Sequence, residues 1–175
     1  RNSSFQQDII LYHKMARLDF EIQLDWQERN LMIKASFPVN VKNEAAYFEI
    51  PFGFVSRTAD GAEVPALRWV DVSDSSGDYG LSVLNDSKYG FDVKGNTMRI
   101  SIIHGATYPD PEADRGRHML LYSLYPHKGT WKEAGSIRRG YELNNPLMAR
   151  VAMIHAGKLP TTYSFIRVEP ENVVV

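Results

Sequence analysis

An all-β fold, a large antiparallel β-sandwich with at most one or two short helices, follows from three observations on the sequence. Runs in which apolar and polar residues alternate recur at short intervals along most of the 175 residues. Clusters rich in Gly, Asn and Asp, which tolerate the backbone angles of tight turns, separate them. No helical period is sustained long enough to compete. Repeated short strands of this kind indicate a sandwich rather than alternating βαβ units.

The clearest strand is 18–26, where Leu18, Phe20, Ile22, Leu24 and Trp26 alternate with Asp19, Glu21, Gln23 and Asp25. A period of two leaves one face dry and one wet. The polar turn 27–30 leads to a second strand, 31–37, stopped by Pro38, and the two read as an antiparallel hairpin. Further strands are expected over 46–52, 67–72, 79–84, 97–104 and 119–125, with turns at Asp60-Gly61, Ser76-Gly77-Asp78 and Gly95-Asn96. Thr130 and Glu133 have the spacing of a capping box, and Asn144-Asn145-Pro146 is a stop signal, so a short helix interrupted by Gly135 and Gly140 is expected over 131–142. Strands then resume at 149–155 and 162–168. Both ends read as cut: the chain opens on Arg1 and closes on the β-branched run Val173-Val174-Val175, the start of a strand. The expectation is a single module, 1–175, from a longer protein.

Composition excludes several functions. A formal charge of −1 and no basic stripe argue against phosphate neutralisation, hence against nucleic acid. No apolar run approaches the length of a membrane span, and no signal peptide is apparent. With no cysteine there is no disulfide, no thiol nucleophile and no cysteine-bound zinc. The Asn-x-Ser triplets at Asn2 and Asn85 are read as chance matches in a cytoplasmic chain.

Candidate chemistry gathers in the stretch 83–127. One polar cluster runs through Asn85, Asp86 and Tyr89. A second, 110–118, holds Asp110, Glu112, Asp114, Arg115, Arg117 and His118. Carboxylates beside guanidinium groups match the vicinal hydroxyls of a sugar, but the same residues also make a solvated loop whose charges pair locally. The histidines, His13, His104, His118, His127 and His155, show neither the i, i+4 pair of a zinc protease nor a His-x-His strand pair, so no metal ligand is assigned. Serine-hydrolase and phosphate-loop patterns are absent.

Several stretches carry a resemblance when taken in order: Arg17-Leu18-Asp19-Phe20-Glu21, Asp25-Trp26 with Glu28, and residues 31–38. Next come Phe48 to Gly53 with Arg57, Arg68 to Ser73, Tyr79-Gly80 and Leu84 to Gly90. Asp114 to His118 and Tyr125-Pro126-His127 complete the set. Together they resemble the C-terminal β-sandwich region of glycoside hydrolase family 38, the α-mannosidases, of bacterial and cytosolic type. The resemblance implies a galactose-mutarotase-like supersandwich and a retaining exo-glycosidase acting on α-linked mannose. It implies an Asp nucleophile and a divalent ion, usually zinc, both in an N-terminal catalytic domain whose motifs are not present here. No catalytic residue and no metal ligand are therefore assigned within 1–175. The expected partners are that catalytic domain, against which an exposed apolar face should dock, and an α-mannoside oligosaccharide. A homo-oligomer is left open. Asn85, Asp86, Tyr89, Asp114, Arg115 and His118 become candidates for lining the substrate cleft or the domain junction. Two alternatives stand beside this reading. One is a freestanding mutarotase-like sugar epimerase, with His104 or His118 as acid and Glu112 or Asp114 as base. The other is an autonomous carbohydrate-binding module.

Overall fold

The most regular alternation in the sequence becomes the spine of a seven-stranded sheet. In the computed structural model, which describes residues 2–41, 43–170 and 173–174, β1 is Ser4–Leu11, β2 Leu18–Trp26, β3 Ile33–Pro38, β4 Ala45–Ile50, β5 Gly53–Thr58 and β6 Val64–Pro65. They are followed by β7 Trp69–Ser73, β8 Gly80–Asn85, β9 Gly90–Lys94, β10 Thr97–Ile103, β11 Gly116–His127 and the helix α1, Ser136–Asn144. One sheet has the order β1-β2-β11-β8-β7-β4-β5 and the other β3-β10-β9-β6. Their strand pairings are antiparallel. The chain divides into two units, Arg1–Asn144 and Asn145–Val175.

In the first unit, the period of two sorts side chains between sheet faces. Phe20, Ile22 and Leu24 of β2, Val70 and Val72 of β7, and Leu81 and Val83 of β8 meet Phe91, Val93, Met98 and Ile100 of the smaller sheet in the main core. Each fully buried side chain of this size contributes about 1.5–3 kcal/mol. Strands β7 and β8 are buried along their whole length, because their outer face is covered as well. There Trp69 and Leu84 pack on Trp131 and on Leu143 of α1. Gly140 lets the helix come close, since a Cβ on it would sit 3.3 Å from Arg68 Cβ. On the outer face of the smaller sheet, buried Asp92 is paired by Lys34 at 2.7 Å and by Arg99.

The strand at one edge differs. β1 pairs with β2 along its whole length, placing Phe5, Ile9 and Leu11 opposite Leu24, Phe20 and Leu18, on the core side of the sheet. All three remain exposed. This is an apolar face of the kind expected from the sequence. At the far edge, Ile50 pairs with Gly53, so β4 and β5 are joined by the two-residue turn Pro51-Phe52. Phe52 lies in the left-handed region, φ 62°, where a non-glycine residue costs about 1–2 kcal/mol.

Four expectations change in this unit. The strands at 18–26 and 31–37 do not pair as a hairpin: β2 lies between β1 and β11 in the larger sheet and β3 pairs with β10 in the smaller one, so the turn between them crosses from one sheet to the other. The strand expected over 46–52 stops at Ile50 and turns, and β1, β5, β6 and β9 are additional strands. The capping box forms, with Thr130 N–H donating to Glu133 Oε2 at 2.8 Å, but it caps only a single turn. Gly135, at φ 68°, ends that turn, and α1 begins at Ser136 instead of 131. The stop at Asn144 holds: its Nδ2 donates to the Gly140 carbonyl at 2.8 Å and to the Asn85 carbonyl at 2.9 Å.

In the second unit, 149–155 and 162–168 are not strands; no helix or strand is found among the described residues beyond Asn144. A strand needs a neighbouring edge for its N–H and C=O groups, and these segments find none among the described residues. Local contacts remain, such as the Tyr163 and Phe165 rings at 5.0 Å. Val173 and Val174 are not in a strand, and Val175 lies outside the described residues. No helix among the described residues is long and apolar enough to cross a membrane.

Candidate functional site

Antiparallel order decides which loops share an end of the sandwich. The register brings the end of β2 beside the start of β11, the end of β8 beside β11 and the start of β7, and the end of β4 beside the start of β5. In the smaller sheet the end of β10 lies at the start of β3, and the end of β6 at the start of β9. The loops β2–β3, β4–β5, β6–β7, β8–β9 and β10–β11 therefore open at one common end. All six residues singled out from the sequence lie there, in the β8–β9 and β10–β11 regions. Loops gathered on a rigid sheet are where binding surfaces are usually built.

Most of the six brace this end instead of facing a ligand. Asn85 is buried; its Nδ2 donates to the Leu67 carbonyl at 2.6 Å and its Oδ1 accepts from Lys88 N–H at 2.7 Å. That burial also takes the asparagine of its Asn-x-Ser triplet out of solvent, although Ser87 stays exposed. Asp86 Oδ2 accepts from Leu121 N–H at 3.0 Å, tying the turn to β11. Asp114 Oδ2 accepts from Gly105 N–H at 2.7 Å, and the Asp114 carbonyl takes the His118 Nε2 hydrogen at 2.8 Å. Gly105 N–H and carbonyl are both used, the latter accepting from Asn30 N–H at 2.7 Å. Arg115 donates to Gln27 at 3.2 Å and pairs with Glu112, which is also held by Arg29. Tyr89 faces outward, 52% exposed, while its carbonyl accepts from Ala66 N–H at 3.0 Å. The result is a cross-braced loop, 104–115, that presents Tyr108, 88% exposed.

A groove of ≈ 510 Å³ lies beside this loop, lined by Gln23, Asp25, Arg117 and His118 with Phe5 and Met119. Next to the β4–β5 hairpin, Glu49 is buried and accepts from Arg68 N–H at 2.6 Å and from Arg68 Nη2 at 2.8 Å. Burial pushes the Arg68 guanidinium down, but the Glu49 hydrogen bonds and charge outweigh it and hold the group above its ordinary value. The same guanidinium lies 3.9 Å from the centre of the Tyr141 ring.

An acid–base pair for sugar epimerisation is not assembled. His118 meets the carbonyl of Asp114 and not its carboxylate, Glu112 is held between two arginines, and the Asp114 carboxylate bonds Gly105 N–H and not His104. A Ser, His and Asp group does exist elsewhere, around Asp71. There Ser82 Oγ and His127 Nε2 each lie 2.7 Å from Asp71 Oδ2, Ser73 Oγ bonds Oδ1, and Ser82 Oγ lies 2.7 Å from Ser136 Oγ. A nucleophile triad has His between Ser and Asp, whereas here Asp is the hub and the group is buried. It is a structural network. Gly80 makes room for it, since a Cβ there would lie 2.3 Å from His127 Cε1. Among the described residues, no three His, Asp or Glu side chains gather as a metal's donor set. A zinc ion of the kind the family implies has no fitting site among them.

Sequence reasoning missed Phe52 and Tyr108, the two aromatic residues presented most openly at this end. The signal for Phe52 was a bulky residue between Pro51 and Gly53, where a turn needs a permissive one.

Fold and loop end together define a β-sandwich module whose polar residues brace a platform of loops. The family model for the glycosyl hydrolases family 38 C-terminal domain matches residues 1–112, and the chain belongs to that family. It is 38% identical to Alpha-mannosidase 2C1 of Mus musculus over 99% of this chain and 17% of that protein. With Alpha-mannosidase G of Dictyostelium discoideum the identity is 36%, over 82% of this chain and 14% of that protein. The crystal structure of an alpha-mannosidase from Enterococcus faecalis V583 superposes with a TM-score of 0.80 at 18% identity, over 89% of this chain and 19% of that one. The chain thus spans less than a fifth of these relatives.

Proposed function

We propose that this chain is the C-terminal sandwich of a retaining α-mannosidase that removes α-linked mannose from oligosaccharides, and that it is not catalytic by itself. In this reading it supports a separate catalytic part of the enzyme, and its loop end bounds the substrate cleft. The nucleophile and the divalent ion, zinc by family resemblance, would lie outside these residues. When bound, such an ion grips the sugar's hydroxyls and favours ring distortion. The chain's own residues would hold the loop 104–115 in one shape and offer Tyr89, Tyr108 and Arg117 to oligosaccharide beyond the reacting sugar. A cytoplasmic setting suits a chain without cysteine.

The observation that carries the reading is the braced loop end, in a member of the family 38 C-terminal domain, where six residues chosen from sequence collect without forming an acid–base pair. The test uses p-nitrophenyl α-mannoside and a manno-oligosaccharide. The full-length enzyme should hydrolyse both and the 175-residue chain neither. Arg117→Ala with Tyr108→Ala in the full-length enzyme should raise KM for the oligosaccharide several-fold and leave the aryl mannoside nearly unchanged. Turnover by the short chain, or a full-length enzyme inert toward mannosides, would sink the proposal.

A further inference from the structure

We infer that Phe52 is an anchor: its ring is held out from the β4–β5 hairpin to seat in an apolar pocket on the part of the same polypeptide that precedes this domain. This rests on the reading of the chain as the C-terminal domain of a larger mannosidase. Two unfavourable features meet in one residue. Its backbone is left-handed, φ 62°, a conformation that bulky residues rarely adopt. Its ring is 110% exposed and so gains nothing from burial within this chain. The next residue, Gly53, is not left-handed, and a Cβ on it would meet nothing within 4 Å. Exchanging the two residues would relax the turn. A strained residue that persists without local benefit points to use elsewhere.

The hairpin that carries the ring is tied down at its base. Just before the turn, Glu49 is clamped by the Arg68 backbone and guanidinium, and Arg68 in turn stacks on Tyr141 of α1. A rigid aromatic side chain entering a pocket is the usual energetic centre of a protein interface. A sugar site, by contrast, sets polar groups around its ring to fix hydroxyls. The tip Pro51-Phe52-Gly53-Phe54 has no polar side chain. The occupant is therefore a protein pocket, and the chain spans only 17% of its mouse relative's length, so most of such a polypeptide lies outside this domain.

The test places the photo-crosslinker p-benzoylphenylalanine at position 52 of the full-length enzyme and maps its products by mass spectrometry. An intramolecular link to an apolar segment preceding this domain is expected. In parallel, Phe52→Gly should speed proteolytic release of the domain by roughly tenfold, as expected on losing an interface anchor, with Phe52→Tyr within about twofold of the parent. Absence of a link, a link between two copies, or a link abolished by mannobiose would overturn the anchor. So would a Phe52→Gly enzyme released at the parental rate. Activity of the parent enzyme on p-nitrophenyl α-mannoside is read separately. Its failure would sink the functional reading, while the crosslink still decides the anchor.

Discussion

Two polar clusters of the domain use similar residues at different depths. Around Asp71, a carboxylate collects Ser73, Ser82 and His127 between buried strands. Around Glu112, a carboxylate collects Arg29 and Arg115 on an exposed loop. Solvent access separates them. Without water to replace a lost partner, every group of the buried cluster depends on the others. On the loop, water and ions screen each pair, so losing one member costs little. From sequence the loop residues read either as sugar contacts or as a solvated surface, and depth was what composition did not show.

The largest expected effect lies in the buried cluster. Asp71→Ala should cost about 3–5 kcal/mol, the usual result of removing one member of a buried pair, as measured by urea unfolding. A loss under about 1 kcal/mol would mean that water reaches the cluster and that the two regions do not differ. Next, Gly80→Ala should cost about 1–3 kcal/mol through overpacking against His127, and adding His127→Ala should recover part of it. Additive losses would place the clash elsewhere. On the surface, Glu112→Gln should change stability by only about 0.2–1 kcal/mol, with the difference fading in high salt. A larger, salt-independent loss would make the loop pair structural after all. The smallest effect concerns Glu133, another exposed carboxylate. The Thr130 backbone N–H, and then its hydroxyl, hold the Glu133 carboxyl below its ordinary value. Its stabilising contribution is therefore present above the ordinary carboxylate range and lost as pH falls through the lowered value. An NMR titration should show Glu133 protonating below an ordinary Glu, and Glu133→Gln should flatten that part of the acid limb.

Much of the fold was legible where one face is wet. Residues 18–26 alternate cleanly and form β2 with those bounds, while β10 carries the same pattern. Legibility failed where the pattern was masked. Gln6-Gln7-Asp8 breaks the period inside β1, and Phe52 made a turn read as the end of a strand. The segments 149–155 and 162–168 have the residues of strands but no pairing partner, which no local pattern can supply. Of the candidate site, the sequence picked residues that the fold brings to one end of the sandwich. It did not separate Asn85, buried by its backbone partners, from Tyr89 a few residues on, because both belong to the same polar run.

The pairing of β2 with β11 has a consequence for synthesis. These strands are neighbours along nearly their whole length, yet residues 27–115 are translated between them. Until β11 leaves the ribosome, β2 has only β1 beside it and an open edge on its other side. Such pairings of distant segments form slowly, since chain closure must precede any gain from contact. The growing chain thus carries an unfinished, aggregation-prone border for most of its production, and its yield in cells depends on how well that border is shielded.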